Sequence, residues 1–402
     1  MANSILTIDM ITRKALEILE NNLVLCRNVN RQYDDSYAVE GAKIGSTLRI
    51  RLPDRTLVTD GAALQVQDEN EQNTTLAVAT QKHVGINFTS AELALELDDF
   101  ADRILKPRIS QLASSVDADL ANVYKNIYQS VGTPGTTPGT SLVLLQGQQK
   151  LNEMAAMMNP RYATVNPAGN AGLVEGLKGL FNPTGTISNQ FKNGMMGVGV
   201  LGYDEINMSQ SIKQHTVGTL PTSPINAATI TTQGQTTLPI TFSSGTGTFN
   251  EGDVFTIASV NAVNPQTRES TGSLQQFTVT ADASWISTTS VTLSISPAMY
   301  TAGNALATID AFPQTSAVIT PMGSSATLYP QNLIYHKDAI AFVTADLLLP
   351  QGVDMAARAV HNGISMRIVR QYDINNDRMP CRVDVLYGFN TIRPEMATRL
   401  WG

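Results

Sequence analysis

The feature that most constrains the fold is a long apolar stripe at helical spacing. Thr89, with Glu92 three residues later, forms a capping box that predicts the start of a helix. The apolar face of this helix is formed by Leu93, Leu97, Phe100, Ile104, Leu112, Val116, Leu120, Val123 and Ile127. A helix that continued to about Ser130 would be roughly 60 Å long at ~1.5 Å per residue. That length exceeds what an ordinary globular domain needs, so we expect an elongated molecule.

Pro107 interrupts this predicted helix. Proline removes one backbone donor and clashes with the preceding turn, so we expect a kink near Lys106 or two abutting helices. The segment from Gly132 to Gly139 contains two prolines among glycines and threonines, which predicts the connector that ends this region.

A long hairpin is predicted before the helix. Residues 48–52 alternate apolar side chains with arginines, and Val84, Ile86 and Phe88 mark a second alternating strand. The polar stretch between them shows weaker alternation at Leu76 and Val78. We interpret this region as a hairpin that projects beyond the body. It follows an amphipathic helix around residues 8–19 and an extended arm over residues 23–45.

Mixed elements follow the connector. The patterns predict a helix over residues 142–158, a strand over 162–166, a glycine-interrupted helix over 168–180 and a strand over 203–209. Alternating helices and strands indicate an α/β or α+β layer.

The composition changes sharply between Thr216 and Asp310. Lysine is absent there, and the charged side chains inside these limits are Glu251, Asp253, Arg268, Glu269 and Asp282. Short alternating segments separated by turn residues predict a small all-β module. Because helix and strand patterns resume after Asp310, we interpret the module as an insertion, which is tolerated where its two ends lie close together.

The composition excludes several kinds of site. The formal net charge of −7 argues against a surface built to neutralise phosphates, so any contact with nucleic acid should be loose. Cys26 and Cys381 have no metal-ligand spacing and are expected to be reduced core residues. We predict no cofactor and no metal. The sequence shows no secretion signal and no window apolar enough to span a membrane, so we expect synthesis in the cytoplasm and no membrane partner.

One motif suggests an enzyme. Residues 197–202 formally match the dinucleotide-binding fingerprint, which requires a strand before the glycines and a helix after them. Here a strand is predicted to follow, so a flexible glycine loop is the better interpretation. The four histidines lack metal-ligand spacing, and residues 336–338 are interpreted as a turn between strands rather than an acid/base cluster.

A family resemblance rests on the last segment. Tyr387, Gly388, Asn390 and the sequence Arg393-Pro394-Glu395 resemble the closing strand of tailed-bacteriophage coat proteins with an inserted β domain, the branch typified by short-tailed Salmonella phages. The order of the predicted parts is similar as well. The resemblance implies an α+β major capsid fold of the tailed-phage and herpesvirus type.

The family layout divides the chain into seven parts. They are an N-terminal helix and arm (1–40), an extended hairpin loop (41–88), the spine helix of a peripheral domain (89–135), the first part of an axial domain (136–215), an inserted all-β domain (216–310), the second part of the axial domain (311–385) and a C-terminal strand that returns to the peripheral domain (386–402).

The function that this resemblance implies is assembly. Pentamers and hexamers of the chain would form an icosahedral virion capsid around double-stranded DNA, assembled in the host cytoplasm with scaffolding and portal proteins as partners. The precursor shell would expand on maturation. Arg49, Arg51 and Arg55 are the candidates for contacts between subunits, although each arginine is as easily explained as keeping an exposed strand soluble.

Other details of the resemblance concern the junctions between subunits. Family members can grip neighbouring capsomers with charged loops of the inserted domain, and the few charges of this insert favour the hairpin and the arm instead. Arg393 and Pro394 are expected to fix the strand end, with the guanidinium group capping a carbonyl or pairing with Glu395. Two alternatives remain open: a phage tail-tube or adhesion protein, and a nucleotide-dependent oxidoreductase.

Overall fold

The computed structural model describes residues 8–31, 46–59, 61–62, 64, 66, 72–88, 105–176, 194, 196–374 and 378–401. The α-helices in these ranges are α1 (Ile8–Asn22), α2 (Lys106–Leu120), α3 (Ser141–Glu153) and α4 (Pro167–Gly176). The strands up to the insertion are β1 (Ser46–Arg51), β2 (Asn73–Val78), β3 (Thr80–Phe88), β4 (Ser130–Val131), β5 (Arg161–Val165), β6 (Gly197–Val200), β7 (Tyr203–Met208) and β8 (Gln214–Thr216).

The inserted module and the strands after it complete the fold. The module contains β9 (Ile225–Asn226), β10 (Gln235–Phe249), β11 (Val254–Val263), β12 (Ser270–Val279), β13 (Ala283–Met299) and β14 (Ile319–Pro321). The later strands are β15 (Leu328–Pro330), β16 (Asn332–His336), β17 (Ile340–Ala345), β18 (Met355–His361), β19 (Ile364–Arg370), β20 (Met379–Thr391) and β21 (Ala397–Leu400). The mixture of helices with largely antiparallel sheets makes the protein α+β.

The chain forms two compact units. The first comprises Met1–Arg51, Asn73–Ala121 and Ile340–Ile392. Its sheet has the order β17-β20-β19-β18, and β3 pairs with β20. Helix α1 packs on α2, β18 and β19. The buried carboxylate of Asp117 on α2 accepts backbone N–H bonds from Val24 (2.6 Å), Leu25 (3.3 Å) and Cys26 (3.0 Å), which fastens the segment after α1 to α2.

The second unit comprises Leu52–Gln72, Asn122–Ala339 and Arg393–Gly402. Its main sheet has the order β4-β21-β16-β5-β7-β6, and α3 packs against β21 and β4. Every residue of β16 and β21 is buried. The centre of this sheet is therefore fully buried, whereas its edge strand β6 is partly exposed.

The inserted module is a six-stranded sheet that closes on itself. The strand order is β14-β11-β12-β13-β10-β9, and a bridge between Ile225 and Val318 joins the two edges. Its core contains fully buried aromatic rings, among them Phe249, Phe255 and Phe277. The chain enters along β8 and leaves along β15, and these two strands pair with each other. The two ends of the insertion therefore lie side by side.

The barrel extends beyond the predicted limit of Asp310. Ile309 and Ile319 are buried in its core, and β14 is one of its strands. The boundary at residue 310 was wrong because the composition becomes ordinary again before the barrel closes. Closure is a long-range pairing that composition does not indicate.

The predicted spine helix ends earlier than expected. Of the predicted range 89–135, residues 89–104 lie outside the described residues, so the capping box and the first part of the stripe are not tested. Helix α2 ends at Leu120, and a 3-10 helix continues over Ala121–Asn126. Beyond it the backbone is extended, because β4 pairs with β21 and the Gln129 carbonyl accepts the N–H of Arg399. Val123 in the 3-10 helix and Ile127 after it are both buried, which continued the apolar pattern beyond the end of α2.

Two strand assignments also change. Strand β1 pairs with β2, whose alternation in the sequence is weak, whereas β3 pairs with β20 in the first unit. The hairpin therefore ends at Val78 rather than at residue 88. The predicted boundary at residue 385 falls inside β20, and the C-terminal segment 386–402 divides between β20 in the first unit and β21 in the second.

Candidate assembly surfaces

Gly388 lies where β2 packs against β20. A Cβ atom at this position would be 2.9 Å from the carbonyl carbon of Ala77, 3.0 Å from Cα of Val78, and closer still to the Ala77 carbonyl oxygen. Two residues later, the Asn390 side chain donates a 2.7 Å hydrogen bond to the Thr75 carbonyl. We call Gly388 and Asn390, with the β2 backbone they contact, the hairpin seat. It holds the base of the β1–β2 hairpin on the sheet.

Tyr387 connects the same strand to helix α2. Its buried hydroxyl donates to Asp119 Oδ2 at 2.6 Å, and Lys82 Nζ lies 2.7 Å from the same oxygen. Burial, followed by the hydrogen bond to Asp119, raises the pKa of Tyr387 above its ordinary value. The phenol therefore remains a proton donor, and the cluster joins β20, β3 and α2.

Arg49 and Arg51 lie on the exposed face of the hairpin. Between them, Ile50 is buried and faces the other side, as a period of two requires. Arg49 Nε donates to Asn73 Oδ1 at 3.0 Å across the strand pair. The structure thus brings these two arginines together on one surface of the hairpin.

Arg55 has a different setting from the other two arginines. Its Nη2 lies 3.1 Å from Glu395 Oε1, and Arg393 Nε lies 3.3 Å from the same oxygen. Pro394 begins the one-turn 3-10 helix Pro394–Met396, and the Arg393 N–H donates to the Ala339 carbonyl at 3.1 Å. Arg55 and the Arg393-Pro394-Glu395 motif therefore form one intramolecular ion-pair cluster, in which Arg55 is already engaged.

The loop between β1 and β2 carries three exposed apolar side chains that the sequence analysis missed. Val58, Leu64 and Val66 are 91%, 90% and 84% exposed. The start of the loop is fixed within the second unit, because Arg268 Nη2 donates to the Thr56 carbonyl at 2.5 Å. We call these three side chains the loop patch. The sequence gives no periodic apolar pattern at these three positions, because acidic and polar residues surround them.

Pro107 lies in the first turn of α2. At this position the missing N–H would have no partner inside the helix, and the fixed backbone angle suits a helix start. The predicted kink involves residues 89–104, which lie outside the described residues. The bend at Pro107 therefore stays a prediction.

Buried charges are the second feature that the sequence analysis missed. Asp384 is completely buried and lies 2.7 Å from Arg367 Nη2 and 2.5 Å from Arg382 Nε. Arg399 is also completely buried and is held by main-chain carbonyls. Arg382 lies two residues before Asp384 on β20, whereas Arg367 lies on β19 and the carbonyl partners of Arg399 lie in distant segments, so the local sequence does not signal that either group is buried.

The glycine-rich motif of residues 197–202 is a β-hairpin. Strands β6 and β7 pair directly, and the turn residues Leu201 and Gly202 have φ angles of 53° and 76°. A turn of this kind matches the twist of paired strands, and no helix leads out of it to face a pyrophosphate. Among the described residues, no group of three or more His, Cys, Asp or Glu side chains is placed to hold a metal ion. No described helix is long and apolar enough to cross a membrane.

Comparison with solved structures yields matches at low sequence identity. A protein of Mycobacterium phage Che8 is 11% identical with a TM-score of 0.48, covering 94% of this chain and 90% of its own. The mature capsid of bacteriophage PhiM1 is 12% identical with a TM-score of 0.41, covering 88% and 81%. The CUS-3 coat protein I-domain is 27% identical with a TM-score of 0.20, covering 25% of this chain and 96% of its own. No curated protein sequence matches the chain.

The family assignment rests on the sequence itself. The family described as "P22 coat protein - gene protein 5" matches residues 1–402, the whole of the chain. This match confirms the resemblance first seen in the motif of Tyr387 to Glu395, and with it a structural rather than an enzymatic role. The chain belongs to the P22 coat protein family: it is the major capsid protein of a tailed phage, a virion component with an α+β capsid fold and an inserted β-barrel, which forms an icosahedral shell.

Proposed function

We propose that the β1–β2 hairpin is the arm by which one subunit packs on the next, and that subunits joined in this way form pentamers and hexamers. The loop patch is the observation that carries this proposal. Val58, Leu64 and Val66 are each more than four-fifths exposed, although the hairpin they belong to is fixed at its base by the hairpin seat. Several exposed apolar side chains on one loop whose base is held are typical of a protein–protein contact.

The expected strength of one such contact is modest. Burying a Val or Leu side chain completely contributes about 1.5–3 kcal/mol, so three side chains supply roughly 4–9 kcal/mol before the cost of association. Contacts of this size are weak singly and become stable when each subunit makes several of them in a closed ring. Arg49 and Arg51 would form the polar rim of the contact, where exposed charges influence orientation more than affinity.

The test replaces the loop patch by serine. The triple variant V58S/L64S/V66S should keep the circular dichroism spectrum and melting temperature of the wild type, because exposed side chains contribute little to folding. It should remain unassembled in sedimentation velocity under conditions where the wild type forms capsomers or shells. The control is Thr59→Ser, an exposed change in the same loop. Normal assembly of the triple variant would refute the proposal.

The remaining partners belong to the same proposal. Scaffolding and portal proteins would direct assembly, and packaged double-stranded DNA would touch the shell loosely, which the net charge of −7 supports. The precursor shell would expand on maturation, with Pro107 as the point at which the spine bends. Electron microscopy of shells assembled from Pro107→Ala subunits, before and after an expansion step, tests the role of the bend.

A further inference from the structure

The barrel meets the rest of its unit through a buried polar seam. Thr278 and Asp253 from the barrel are 0% and 2% exposed, and Arg399 and Ser130 on the other side are 0% and 4% exposed. The apolar cluster beside the seam is small, with Val217, Val254, Tyr329 and Trp401 as its buried members. Hydrogen bonds are directional, whereas apolar contact tolerates sliding, so a seam of this composition can define an orientation.

Arg399 is the centre of this seam. Its Nε donates to the Ile127 carbonyl at 2.7 Å, and its Nη1 donates to the Gly252 carbonyl of the barrel at 2.6 Å. Its Nη2 donates to Thr278 Oγ1 at 3.0 Å and to the Lys125 carbonyl at 3.3 Å. One planar guanidinium group on β21 therefore joins the segment after α2 to two separate places on the barrel.

A second cluster lies next to Arg399. The Arg399 guanidinium carbon lies 5.3 Å from the centre of the Tyr124 ring, whose hydroxyl is 3.2 Å from His215 Nδ1. His215 Nε2 lies 2.8 Å from Asp253 Oδ1, and Asp253 also accepts the N–H of Gly218 at 3.1 Å. His215 lies on β8, the strand that enters the barrel, and Asp253 lies in the turn between β10 and β11. Both are thereby linked to Arg399 through Tyr124.

Arg161 provides an instructive comparison. It is as completely buried as Arg399 and also donates to main-chain carbonyls, those of Met157 and Ala156. Those partners lie four and five residues away in the sequence, whereas the barrel partners of Arg399 lie 121 and 147 residues away. Arg161 fixes a local turn, and Arg399 fixes two folded parts against each other.

We propose that Arg399 is a positioning residue that sets the direction of the inserted barrel relative to the six-stranded sheet, and thereby the angle at which neighbouring subunits meet in the shell. The proposal rests on the shell-forming function and does not depend on the hairpin contact. The position requires arginine, because the three nitrogens of one rigid guanidinium group donate to four acceptors, whereas lysine offers a single nitrogen.

The first test compares Arg399→Met with Arg161→Met. Both variants lose a buried guanidinium group and should lose comparable thermal stability. Only Arg399→Met should give shells with irregular curvature and a broadened diameter distribution in negative-stain microscopy. In the unassembled subunit, thermolysin should cut the connectors at residues 217–224 and 322–327 about tenfold faster, because the barrel loses its two bonds to Arg399 and opens more often. Arg399→Lys should give an intermediate result.

A second pair of variants, with smaller changes, provides the test if Arg399→Met fails to fold. Thr278→Val removes one acceptor of Arg399, and Thr164→Val removes an equally buried hydroxyl that lies 3.4 Å from Tyr335. Irregular shells from Thr278→Val together with regular shells from Thr164→Val support the proposal. Regular shells and wild-type cleavage in Arg399→Met, or identical shells from the two threonine variants, overturn it. Loss of assembly in the V58S/L64S/V66S variant would concern the hairpin contact alone. It would not affect the interpretation of the Arg399 and Thr278 variants.

Discussion

Replacing Gly388 by alanine should damage the hairpin seat more than any other single methyl group added to β20. The new Cβ would lie 2.9–3.0 Å from backbone atoms of Ala77 and Val78, where ordinary carbon contacts are about 3.5–4.0 Å. The obstructing atoms belong to a paired strand, so they cannot swing away as a flexible side chain would. Strand β2 must move away from β20.

The cost of this movement has two parts. Overpacking of a well-packed site typically costs about 1–3 kcal/mol. The shift also weakens the 2.7 Å bond from Asn390 to the Thr75 carbonyl, a bond of a kind that contributes about 0.5–1.5 kcal/mol. Gly388→Ala should therefore lower the free energy of unfolding of the first unit by about 2–4 kcal/mol.

The matched control is Gly85→Ala. Gly85 lies in β3, which pairs with the same strand β20, but a Cβ there would have no atom within 4 Å. This change should be neutral or stabilising by about 0.4–1 kcal/mol, since alanine restricts the unfolded chain. The assay is urea denaturation of the unassembled subunit followed by circular dichroism, with hydrogen exchange read at the amides of β2.

The result that would refute the reasoning is an equal urea midpoint for the two variants. Equal protection of the β2 amides would have the same meaning. Either outcome would show that β2 is not held closely on β20. If Gly388→Ala also fails to assemble while Gly85→Ala forms shells, the seat matters for shell formation as well as for stability.

Three further predictions concern buried polar groups. Tyr387→Phe removes one buried hydroxyl bond to a carboxylate and should lower the unfolding free energy by about 1.5–3 kcal/mol in urea denaturation; an unchanged midpoint would contradict the role of the bond. Asp384→Asn leaves two guanidinium groups without their buried carboxylate and should lower the unfolding free energy by about 3–5 kcal/mol. Glu395 is part-exposed, so Glu395→Gln should lower the unfolding free energy by about 0.2–1 kcal/mol. Equal losses of unfolding free energy in the two variants would refute this ranking. Burial raises the pKa of Cys381 to about 12 and that of Cys26 well above its ordinary value, so neither thiolate should form appreciably at pH 8. A thiol reagent should find two reactive groups in denaturant and none in the native subunit, and native reactivity should rise only as the pH approaches the raised values.

Local patterns in the sequence were enough to predict most helices and strands. The helices expected around residues 8–19 and 142–158 are found as α1 (Ile8–Asn22) and α3 (Ser141–Glu153). The strand predicted over residues 203–209 is found as β7 (Tyr203–Met208). Such patterns succeed because one face of each element is buried, and the period of that face is a property of neighbouring residues.

The family could also be recognised from the sequence, and the structure gives the physical reason. In the motif of Tyr387 to Glu395, Tyr387 needs a hydroxyl for Asp119, Gly388 must lack a Cβ, and Asn390 needs an amide for Thr75. A residue type that is dictated by such a contact is informative even before the contact is seen. The motif was therefore a better guide to identity than the overall composition.

Pairing and burial over long distances were decided only by the tertiary structure. The choice of β2 rather than β3 as the partner of β1, the closure of the barrel by Ile225 and Val318, and the end of α2 at Leu120 each depend on segments far apart in the chain. The buried charge of Arg399 is satisfied by residues up to 274 positions away. The sequence determines which faces are apolar, but the selection among competing partners is made by the packing of the whole chain.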